Sequence, residues 1–214
     1  MISDRICYIA GAGEWYGVMP EPKKDDLVIA ADGGLDHLYA RGLRVDVLIG
    51  DFDSISQSAL TGIETITLPC EKDDTDMLSA IHVGLERGYK TFHIYGGTGG
   101  RLDHTLANIQ CLGYLASVGA RGYLWDDAQV VTAIRDGRIE FDETAKGTLS
   151  MFALGDEALG VSEVGLKYPL DNVRIVNTHP LGVSNEFSGE KSRVSVKKGT
   201  LIVVFPVGVW PLEG

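Results

Sequence analysis

Closely spaced aspartates in the first half of the chain are the residues whose type and spacing best suit chemistry. Asp51 and Asp53 are separated by one residue, and Asp73 and Asp76 follow further along the chain. Carboxylates crowded in this way repel one another, so each of them costs stability unless a cation neutralises it. A hard divalent cation such as Mg²⁺, held together with phosphate oxygens, is the simplest candidate for that cation.

A glycine-rich segment, Gly96-Gly97-Thr98-Gly99-Gly100, provides the second half of the predicted site. Glycines let backbone N–H groups approach an anion, and the N-terminus of a following helix adds a favourable partial charge. The segment matches neither GxxxxGK[ST] nor GxGxxG, so it is neither a P-loop nor a dinucleotide fingerprint. Arg101 follows, where it could make a charge-assisted bidentate contact with phosphate. Asp103 and His104 come next; they either help catalysis or only cap the helix and orient Arg101.

An alternation of strands and helices up to about Asp127 would bring these segments together. The apolar runs predict strands at Arg5–Ala10, Leu27–Ala31, Val45–Ile49, Ile63–Leu68, Thr91–Tyr95 and Gly122–Trp125. Apolar residues at helical spacing predict helices that begin near Leu35, Met77 and Leu102. Such alternation predicts a parallel sheet covered by helices, in which ligands bind outside the carboxyl ends of the strands.

Four motifs fall at those carboxyl ends. They are Asp32-Gly33-Gly34, Asp51-Phe52-Asp53, Asp73-Asp74-Thr75-Asp76 and Gly96–His104. Each of them alone is explained as well by a turn or a helix cap. Their coincidence favours a metal–triphosphate site, because turns do not require aspartate each time. This predicts Mg²⁺-assisted transfer from a nucleoside triphosphate and leaves the acceptor open.

After Asp127 the pattern changes to short strands with no convincing helix between them. These strands are predicted at Val130–Ile134, Arg138–Phe141, Thr148–Leu154, Val173–Asn177, Arg193–Val196 and Leu201–Phe205. Turn residues predict hairpins at Arg135-Asp136-Gly137 and Lys197-Lys198-Gly199-Thr200. Many short strands with turn signals predict a small antiparallel sandwich or barrel. We therefore expect an α/β domain over residues 1–127 and an all-β domain over residues 128–214.

The composition is that of an ordinary soluble globular protein, with 44% apolar and 23% charged residues. The net charge of −11 argues against binding to nucleic acid or to an anionic membrane, since both need a basic face. Residues 1–127 carry most of that charge, with 10 Lys and Arg against 19 Asp and Glu, which also suits a cationic substrate. We predict no signal peptide or membrane span, and the three scattered cysteines indicate reduced thiols, so we expect a cytoplasmic protein.

In this order, the motifs resemble those of the bacterial thiamine pyrophosphokinase (thiamine diphosphokinase) family. The matching segments are Ala31-Asp32-Gly33-Gly34, Gly50-Asp51-Phe52-Asp53-Ser54, Asp73-x-Thr75-Asp76, Gly96–His104, Gly165–Leu170 and Gly182–Glu186. The resemblance covers most of the chain and includes the predicted change of domain type. The expected fold is then a Rossmann-like three-layer α/β domain with a mostly parallel sheet, followed by an antiparallel β-sandwich.

The resemblance implies transfer of the diphosphoryl group of ATP to the hydroxyethyl oxygen of thiamine, giving thiamine diphosphate and AMP. It also implies a homodimer, with thiamine bound where the β domain of one subunit meets the α/β domain of the other. One alternative is another Mg²⁺-dependent phospho- or nucleotidyltransferase that acts on a small alcohol. A further alternative is a non-catalytic regulator that binds nucleotide or thiamine.

The resemblance also implies roles for individual residues by motif match. The Mg²⁺ and phosphate-site carboxylates would be Asp51, Asp53, Asp73 and Asp76. Catalysis would involve Asp51, Asp73, Asp76 and Arg101, with Asp73 or Asp76 accepting the proton of the alcohol. ATP would contact Asp32, Gly33, Thr75, Gly96, Gly97, Thr98, Gly100, Arg101, Asp103 and His104. Thiamine would contact Ser184 and Asn185, although some family members place an aromatic residue where Asn185 stands.

Overall fold

The computed structural model describes residues 5–50, 62–67 and 74–212. Strands predominate over helices in these residues, and both parallel and antiparallel strand pairs occur. The described chain divides into two compact units. The first extends to Asn108 and includes Leu124–Asp127, and the second comprises Ile109–Tyr123 and the residues from Ala128 onward.

The first unit is built on a parallel sheet. Its strands are β1 (Ile6–Ala10), β2 (Leu27–Ala31), β3 (Val47–Gly50), β4 (Glu64–Thr67) and β5 (Thr91–Tyr95). The next strand along the chain, β6 (Arg121–Trp125), belongs to this unit only from Leu124 onward. In the order β4-β3-β2-β1-β5, each strand is parallel to its neighbour. Every residue of β2 and β3 is buried, which is typical of parallel strands covered on both faces.

The register of these pairs aligns the carboxyl ends of the strands along one edge of the sheet. Ala10 of β1 lies opposite Tyr95 of β5, and Ala31 of β2 lies opposite Ile49 of β3. The segments that follow β1, β2 and β5 therefore leave the sheet at the same edge. This is the edge at which the sequence predicts ligand binding.

Three helices occur in the described residues, namely α1 (Gly34–Ala40), α2 (Asp76–Glu86) and α3 (Leu102–Ser117). Helix α2 begins at a capped N-terminus, since Thr75 Oγ1 accepts a hydrogen bond from the N–H of Leu78 at 3.2 Å. The helix packs closely against the sheet at Gly84, where a Cβ atom would come within 2.5 Å of the Phe92 ring. None of the described helices has both the length and the apolarity needed to cross a membrane.

The second unit contains antiparallel strand pairs. Its strands are β7 (Gln129–Arg135), β8 (Arg138–Phe141), β9 (Thr148–Val164), β10 (Leu170–Val176), β11 (Asn185–Glu186), β12 (Ser192–Ser195) and β13 (Lys198–Pro206). The long strand β9 organises the unit, because it pairs with β10, β11, β12 and β13. Residues 128–212, all of which are described, contain no helix. The ring of the buried Phe141 packs edge to face against the rings of Phe187 and of the buried Phe205.

Both predicted hairpins are wrong. Strand β7 pairs with β13 and β8 pairs with β12, so the turn at Arg135-Asp136-Gly137 joins two strands that are not neighbours. Lys198 and Thr200 lie within β13 rather than in a turn. Turn residues indicate where a chain can reverse, but burial across long sequence distances decides which strands then pair.

Candidate active site

Two glycine-containing segments lie hydrogen-bonded side by side at the carboxyl edge of the parallel sheet. The N–H of Gly11 donates to the Tyr95 carbonyl at 2.7 Å, and the N–H of Gly13 donates to the Gly96 carbonyl at 2.8 Å. The residues after β1 therefore support the start of the predicted phosphate loop after β5. The sequence predicted a phosphate-binding role for the second of these segments but did not predict that the first would support it.

The loop requires glycine at Gly96 for two reasons. Its φ angle is 63°, in the left-handed region that side chains disfavour. A Cβ atom there would also overlap the Gly11 carbonyl oxygen and the indole nitrogen of Trp15. Gly100 differs in the second respect, because its φ is 64° but no described atom lies within 4 Å of where its Cβ would be. The loop is thus tightly enclosed at its start and open at its end.

Buried side-chain hydrogen bonds hold the middle of the loop. Asn108 Nδ2 donates to the Gly97 carbonyl at 2.7 Å, and Thr98 Oγ1 donates to Asp126 Oδ1 at 2.7 Å. Asn108 and Thr98 are both buried, so water does not compete for these bonds. The Thr98 hydroxyl proton is therefore used inside the protein, and Thr98 can offer its backbone to a phosphate. No motif marks Asn108 or Asp126, whose supporting roles follow only from their positions in the fold.

Arg101 and Asp103 form an ion pair at the exposed end of the loop. Arg101 Nε donates to Asp103 Oδ1 at 3.1 Å and Arg101 Nη2 donates to Asp103 Oδ2 at 2.5 Å, with the arginine side chain 71% exposed. The arginine hydrogen bonds, helped by the backbone N–H of His104, lower the pKa of Asp103 to about 2. Asp103 thus orients Arg101, and an incoming phosphate would have to compete with it for the guanidinium.

Gly33 and Thr75, two predicted ATP-binding residues, stand immediately before helices. Gly33 precedes α1, and a Cβ atom on it would lie 3.1 Å from that of Ala12. Thr75 Oγ1 acts only as an acceptor in the cap of α2. A hydroxyl has a donor as well as acceptor capacity, so the Thr75 proton can still bind a phosphate oxygen.

The predicted carboxylate cluster is described only in part, because Asp51, Asp53 and Asp73 lie outside the described residues. Asp76 is the first residue of α2. Asp32 follows β2, is exposed, and has a φ of 52°, a conformation that aspartate tolerates better than most residues. Within the described ranges, no three or more potential ligands come together as a metal-binding group.

Carboxylates at the opposite, amino edge of the sheet serve the backbone instead. Asp26 precedes β2, and its two oxygens accept hydrogen bonds from the N–H groups of Ile6 and Lys23, each at 2.7 Å. Asp46 precedes β3, and its Oδ2 accepts from the N–H of Val28 at 2.8 Å. These aspartates are structural, whereas Asp32 at the carboxyl edge is exposed. Residue type alone does not separate the two groups, but their position relative to the strands does.

Asn185, a predicted thiamine contact, is almost fully buried in the second unit, with 2% of its surface exposed. Its Nδ2 donates to Glu163 Oε2 at 2.9 Å and to the Tyr168 carbonyl at 2.8 Å. Its Oδ1 accepts from the N–H groups of Tyr168 at 3.0 Å and Glu186 at 2.9 Å. These bonds satisfy both donors and both acceptor sites of the carboxamide, so the side chain connects the segment around Tyr168 to Glu163 and stabilises the local structure.

Ser184, the other predicted thiamine contact, is exposed beside Asn185. Its φ of 59° is unusual for a residue with a side chain, and its N–H donates to Ser150 Oγ at 3.0 Å. The strained backbone is held by Ser150 on one side and by the buried Asn185 on the other. Of the two predicted residues, Ser184 presents a side chain to solvent and Asn185 positions it.

Family models match both parts of the chain. The model for the thiamin pyrophosphokinase catalytic domain matches residues 21–124. The model for the thiamin pyrophosphokinase vitamin B1 binding domain matches residues 137–201. The predicted metal and phosphate motifs fall within the first match, and Ser184 and Asn185 fall within the second.

Individual proteins show the same similarity. Thiamine pyrophosphokinase of Bacillus subtilis is 32% identical over 185 residues, which cover 83% of this chain and 86% of that protein. The crystal structure of thiamine pyrophosphokinase from Bacillus subtilis superposes with a TM-score of 0.83 at 27% identity, covering 95% of this chain and 99% of the other. A thiamin pyrophosphokinase family protein from Enterococcus faecalis gives a TM-score of 0.80 at 28% identity, with 95% and 99% covered.

Proposed function

The chain belongs to the thiamin pyrophosphokinase family, and we infer that it makes thiamine diphosphate and AMP from thiamine and ATP. The observation that carries this function is the presence of both family domains in one chain. In the reaction, the hydroxyethyl oxygen of thiamine forms a bond to the β-phosphorus of ATP. The bond from that phosphorus to the oxygen bridging it to the α-phosphorus breaks, and AMP leaves.

We propose that Asp51, Asp53, Asp73 and Asp76 hold Mg²⁺ and the phosphate site. Carboxylate oxygens are the ligands that Mg²⁺ prefers. A site at the carboxyl edge of the sheet is supported by the exposed Asp32 and by the loop amides, which lie at that edge. The aspartates at the amino edge are already engaged in hydrogen bonds with backbone N–H groups. Bound there, Mg²⁺ would neutralise charge on the triphosphate.

The remaining roles belong to the protein's own groups. Phosphate oxygens bind to the backbone amides of the loop, those of Gly96, Gly97, Thr98 and Gly100. Arg101 leaves its ion pair with Asp103 and binds phosphate instead. The other proposed ATP contacts are Asp32, Gly33, Thr75 and His104. Asp73 or Asp76 accepts the proton of the thiamine hydroxyl late in the transfer. Positioning of the alcohol in line with the β-phosphorus supplies much of the rate.

We propose that Ser184 contacts thiamine and that Asn185 contributes to thiamine binding indirectly, by holding the adjoining segments with its hydrogen bonds. The excess of carboxylates in residues 1–127 suits the permanent positive charge of thiamine. The domains proposed for ATP with Mg²⁺ and for thiamine are residues 1–127 and 128–214. A Rossmann-like three-layer arrangement for the first and a β-sandwich for the second are supported by the parallel pairs of β1–β5 and the antiparallel pairs around β9.

We also propose that the protein works as a cytoplasmic homodimer. The dimer is what the family resemblance implies, and a reducing compartment agrees with Cys7, which is a free, buried thiol. Cys70 lies outside the described residues. Light scattering on the purified protein gives its mass in solution, and a monomer at concentrations that support full activity would contradict the dimer.

Incubation with thiamine, ATP and Mg²⁺, followed by identification of both products, tests the function. We expect thiamine diphosphate and AMP. Release of ADP would indicate an ordinary kinase, and release of pyrophosphate a nucleotidyltransferase. Binding of thiamine and ATP without any product would indicate a regulator. Removal of divalent cations with a chelator should abolish turnover, and added Mg²⁺ should restore it; full activity without divalent cations would contradict the metal site.

Arg101→Ala should raise the KM for ATP or lower kcat by about tenfold, the value of one charge-assisted hydrogen bond. The melting temperature should stay nearly unchanged, because surface ion pairs add little to stability. Steady-state kinetics and thermal unfolding check the two expectations. Arg174→Ala is the matched control, since Arg174 also pairs with a carboxylate on an exposed surface, at 2.6 Å from Glu157. Unchanged ATP kinetics in Arg101→Ala would remove Arg101 from the site.

A further inference from the structure

Glu163 is a carboxyl group buried in the second unit, with 1% of its surface exposed. It lies in β9, opposite Leu170 of β10 and Val194 of β12. Its Oε2 accepts a hydrogen bond from Asn185 Nδ2 at 2.9 Å. Among the described residues, its Oε1 has no hydrogen-bond partner, although the atom is buried. A carboxylate in such a place would be poorly stabilised, because a buried charge needs pairing or several hydrogen bonds.

The surroundings of Glu163 offer no compensating charge. Val194, which faces it across the strand pair, is fully buried, and Ser192 on the same face of β12 has a buried hydroxyl that also lacks a described partner. The charged side chains on the adjoining strands and segments are directed to the surface: Lys167, Asp171, Arg174, Glu186, Lys191 and Arg193. No ion pair joins any of these side chains to Glu163 within the described contacts. Burial therefore raises the pKa of Glu163 from its ordinary 4.5 to about 7, and the Asn185 hydrogen bond opposes that rise only in part.

Asn185 transmits the state of Glu163 to the proposed thiamine contact. The same carboxamide that donates to Glu163 also donates to the Tyr168 carbonyl and accepts from the Tyr168 N–H. It accepts as well from Glu186, the residue that follows it. Ser184 is its other neighbour in the chain. A movement of Asn185 would therefore shift the segment that presents Ser184 and release the segment around Tyr168.

We propose that Glu163 is a positioning residue for thiamine: its buried carboxyl group accepts from Asn185 and thereby holds Ser184 in the binding geometry, and its ionisation tightens that hold, because a carboxylate is a stronger acceptor than a neutral acid. This inference rests on the proposed function, because it takes Ser184 as a thiamine contact. Nothing in the motifs pointed to Glu163, since a glutamate in a strand is ordinarily exposed. The alternation of β9 gives one signal, because Val161 and Glu163 share a buried face.

The first test is the pH dependence of the KM for thiamine, measured at saturating ATP and Mg²⁺ from about pH 6 to about pH 8, the range that brackets a pKa near neutrality. For the wild type, this KM should fall by about fivefold as Glu163 ionises, the gain of a charge-assisted over a neutral hydrogen bond to Asn185. Glu163→Gln keeps a neutral acceptor for Asn185 and cannot ionise, so it should lack that fall. The KM for ATP should respond equally to pH in the two proteins.

Glu157→Gln is the matched control for this experiment. Glu157 lies on the same strand, but its carboxylate is exposed and paired with Arg174. This variant should reproduce the wild-type pH dependence. Titration of the substrates themselves affects all three proteins alike and cancels in the comparison. If Glu163→Gln shows the same thiamine profile as the wild type, or changes the profiles for ATP and thiamine equally, the positioning role is overturned.

Stability supplies a readout that does not depend on activity. Folding raises the pKa of Glu163, so the unfolded chain ionises first as the pH rises. The stabilisation is fully present below the ordinary pKa of 4.5 and is lost as the pH rises toward about 7, above which the Glu163 contribution is constant. Urea unfolding of Glu163→Gln should lack this loss. If the free energies of unfolding of the wild type and Glu163→Gln differed by the same amount at every pH, the assignment of Glu163 as a neutral buried acid would be overturned.

The outcomes separate this inference from the function on which it rests. A wild-type protein that forms no thiamine diphosphate at any pH would overturn the function, while urea unfolding would still report on Glu163. An active wild type whose thiamine KM changes with pH in the same way as that of Glu163→Gln would overturn only the inference. Loss of the pH dependence in Glu163→Gln but not in Glu157→Gln supports both.

Discussion

Replacement of Asp73 by Asn is expected to lower kcat by about 100-fold or more, the usual cost of losing one group that stabilises transition-state charge. The melting temperature should hardly change, because a carboxylate crowded among others contributes repulsion rather than stability to the folded chain. Steady-state kinetics and thermal unfolding give the two values. Equal losses of activity and stability would instead assign Asp73 a structural role.

Asp26→Ala is the control for Asp73→Asn and should show the opposite result, a loss of stability without a loss of kcat. Asp26 is buried and accepts hydrogen bonds from two backbone N–H groups at the amino edge of the sheet. Its removal should lower the free energy of unfolding by about 3 kcal/mol, since both donors lose a charged partner. The kcat of the folded fraction should be retained, because ligands bind at the other edge. If Asp26→Ala lost activity as severely as Asp73→Asn, the separation of the two edges by function would be contradicted.

Gly96→Ala is expected to damage both the fold and the phosphate loop. A side chain at a φ of 63° costs about 1–2 kcal/mol, and the overlap of its Cβ with Gly11 and Trp15 adds to that cost. We expect a total loss of about 3 kcal/mol in the free energy of unfolding, together with a large rise in the KM for ATP. Urea unfolding and ATP kinetics measure these effects.

Gly100→Ala isolates the two components of this effect. Its φ of 64° is nearly the same, but its Cβ would meet no described atom within 4 Å. The loss of stability should therefore be only about 1–2 kcal/mol, the cost of the left-handed conformation alone. Comparable losses in the two variants would show that the close approach of the Gly11 and Gly96 segments does not constrain the loop.

Much of the fold in the first unit follows from local patterns. The predicted strands Leu27–Ala31 and Thr91–Tyr95 coincide with β2 and β5. These runs are apolar, rich in residues that favour strands, and bounded by polar or glycine residues, so their limits are visible without tertiary information. The glycine loop was also recognisable, because its conformation excludes most other residues.

The second unit was less predictable because its pairing is non-local. Strand β9 continues to Val164, past the predicted end at Leu154, through Gly155 and Gly160. Glycine ordinarily weakens a strand, so the pattern indicated an end there. Pairing supports β9 instead: β10, the next strand along the chain, pairs with its second half, and β11, β12 and β13 join it from further along the sequence. The same non-local pairing separates the strands of both predicted hairpins.

By itself, the sequence predicted metal-assisted transfer from a nucleoside triphosphate, because that chemistry requires crowded carboxylates and an anion-binding glycine loop ending in arginine. The order of its motifs then indicated the family by resemblance. Only the tertiary structure decided which polar residues support the site rather than face a ligand. Thr98, Asn185 and Glu163 are assigned to the interior by their burial and hydrogen bonds. Both properties depend on residues far apart in the chain, so no local motif contains them.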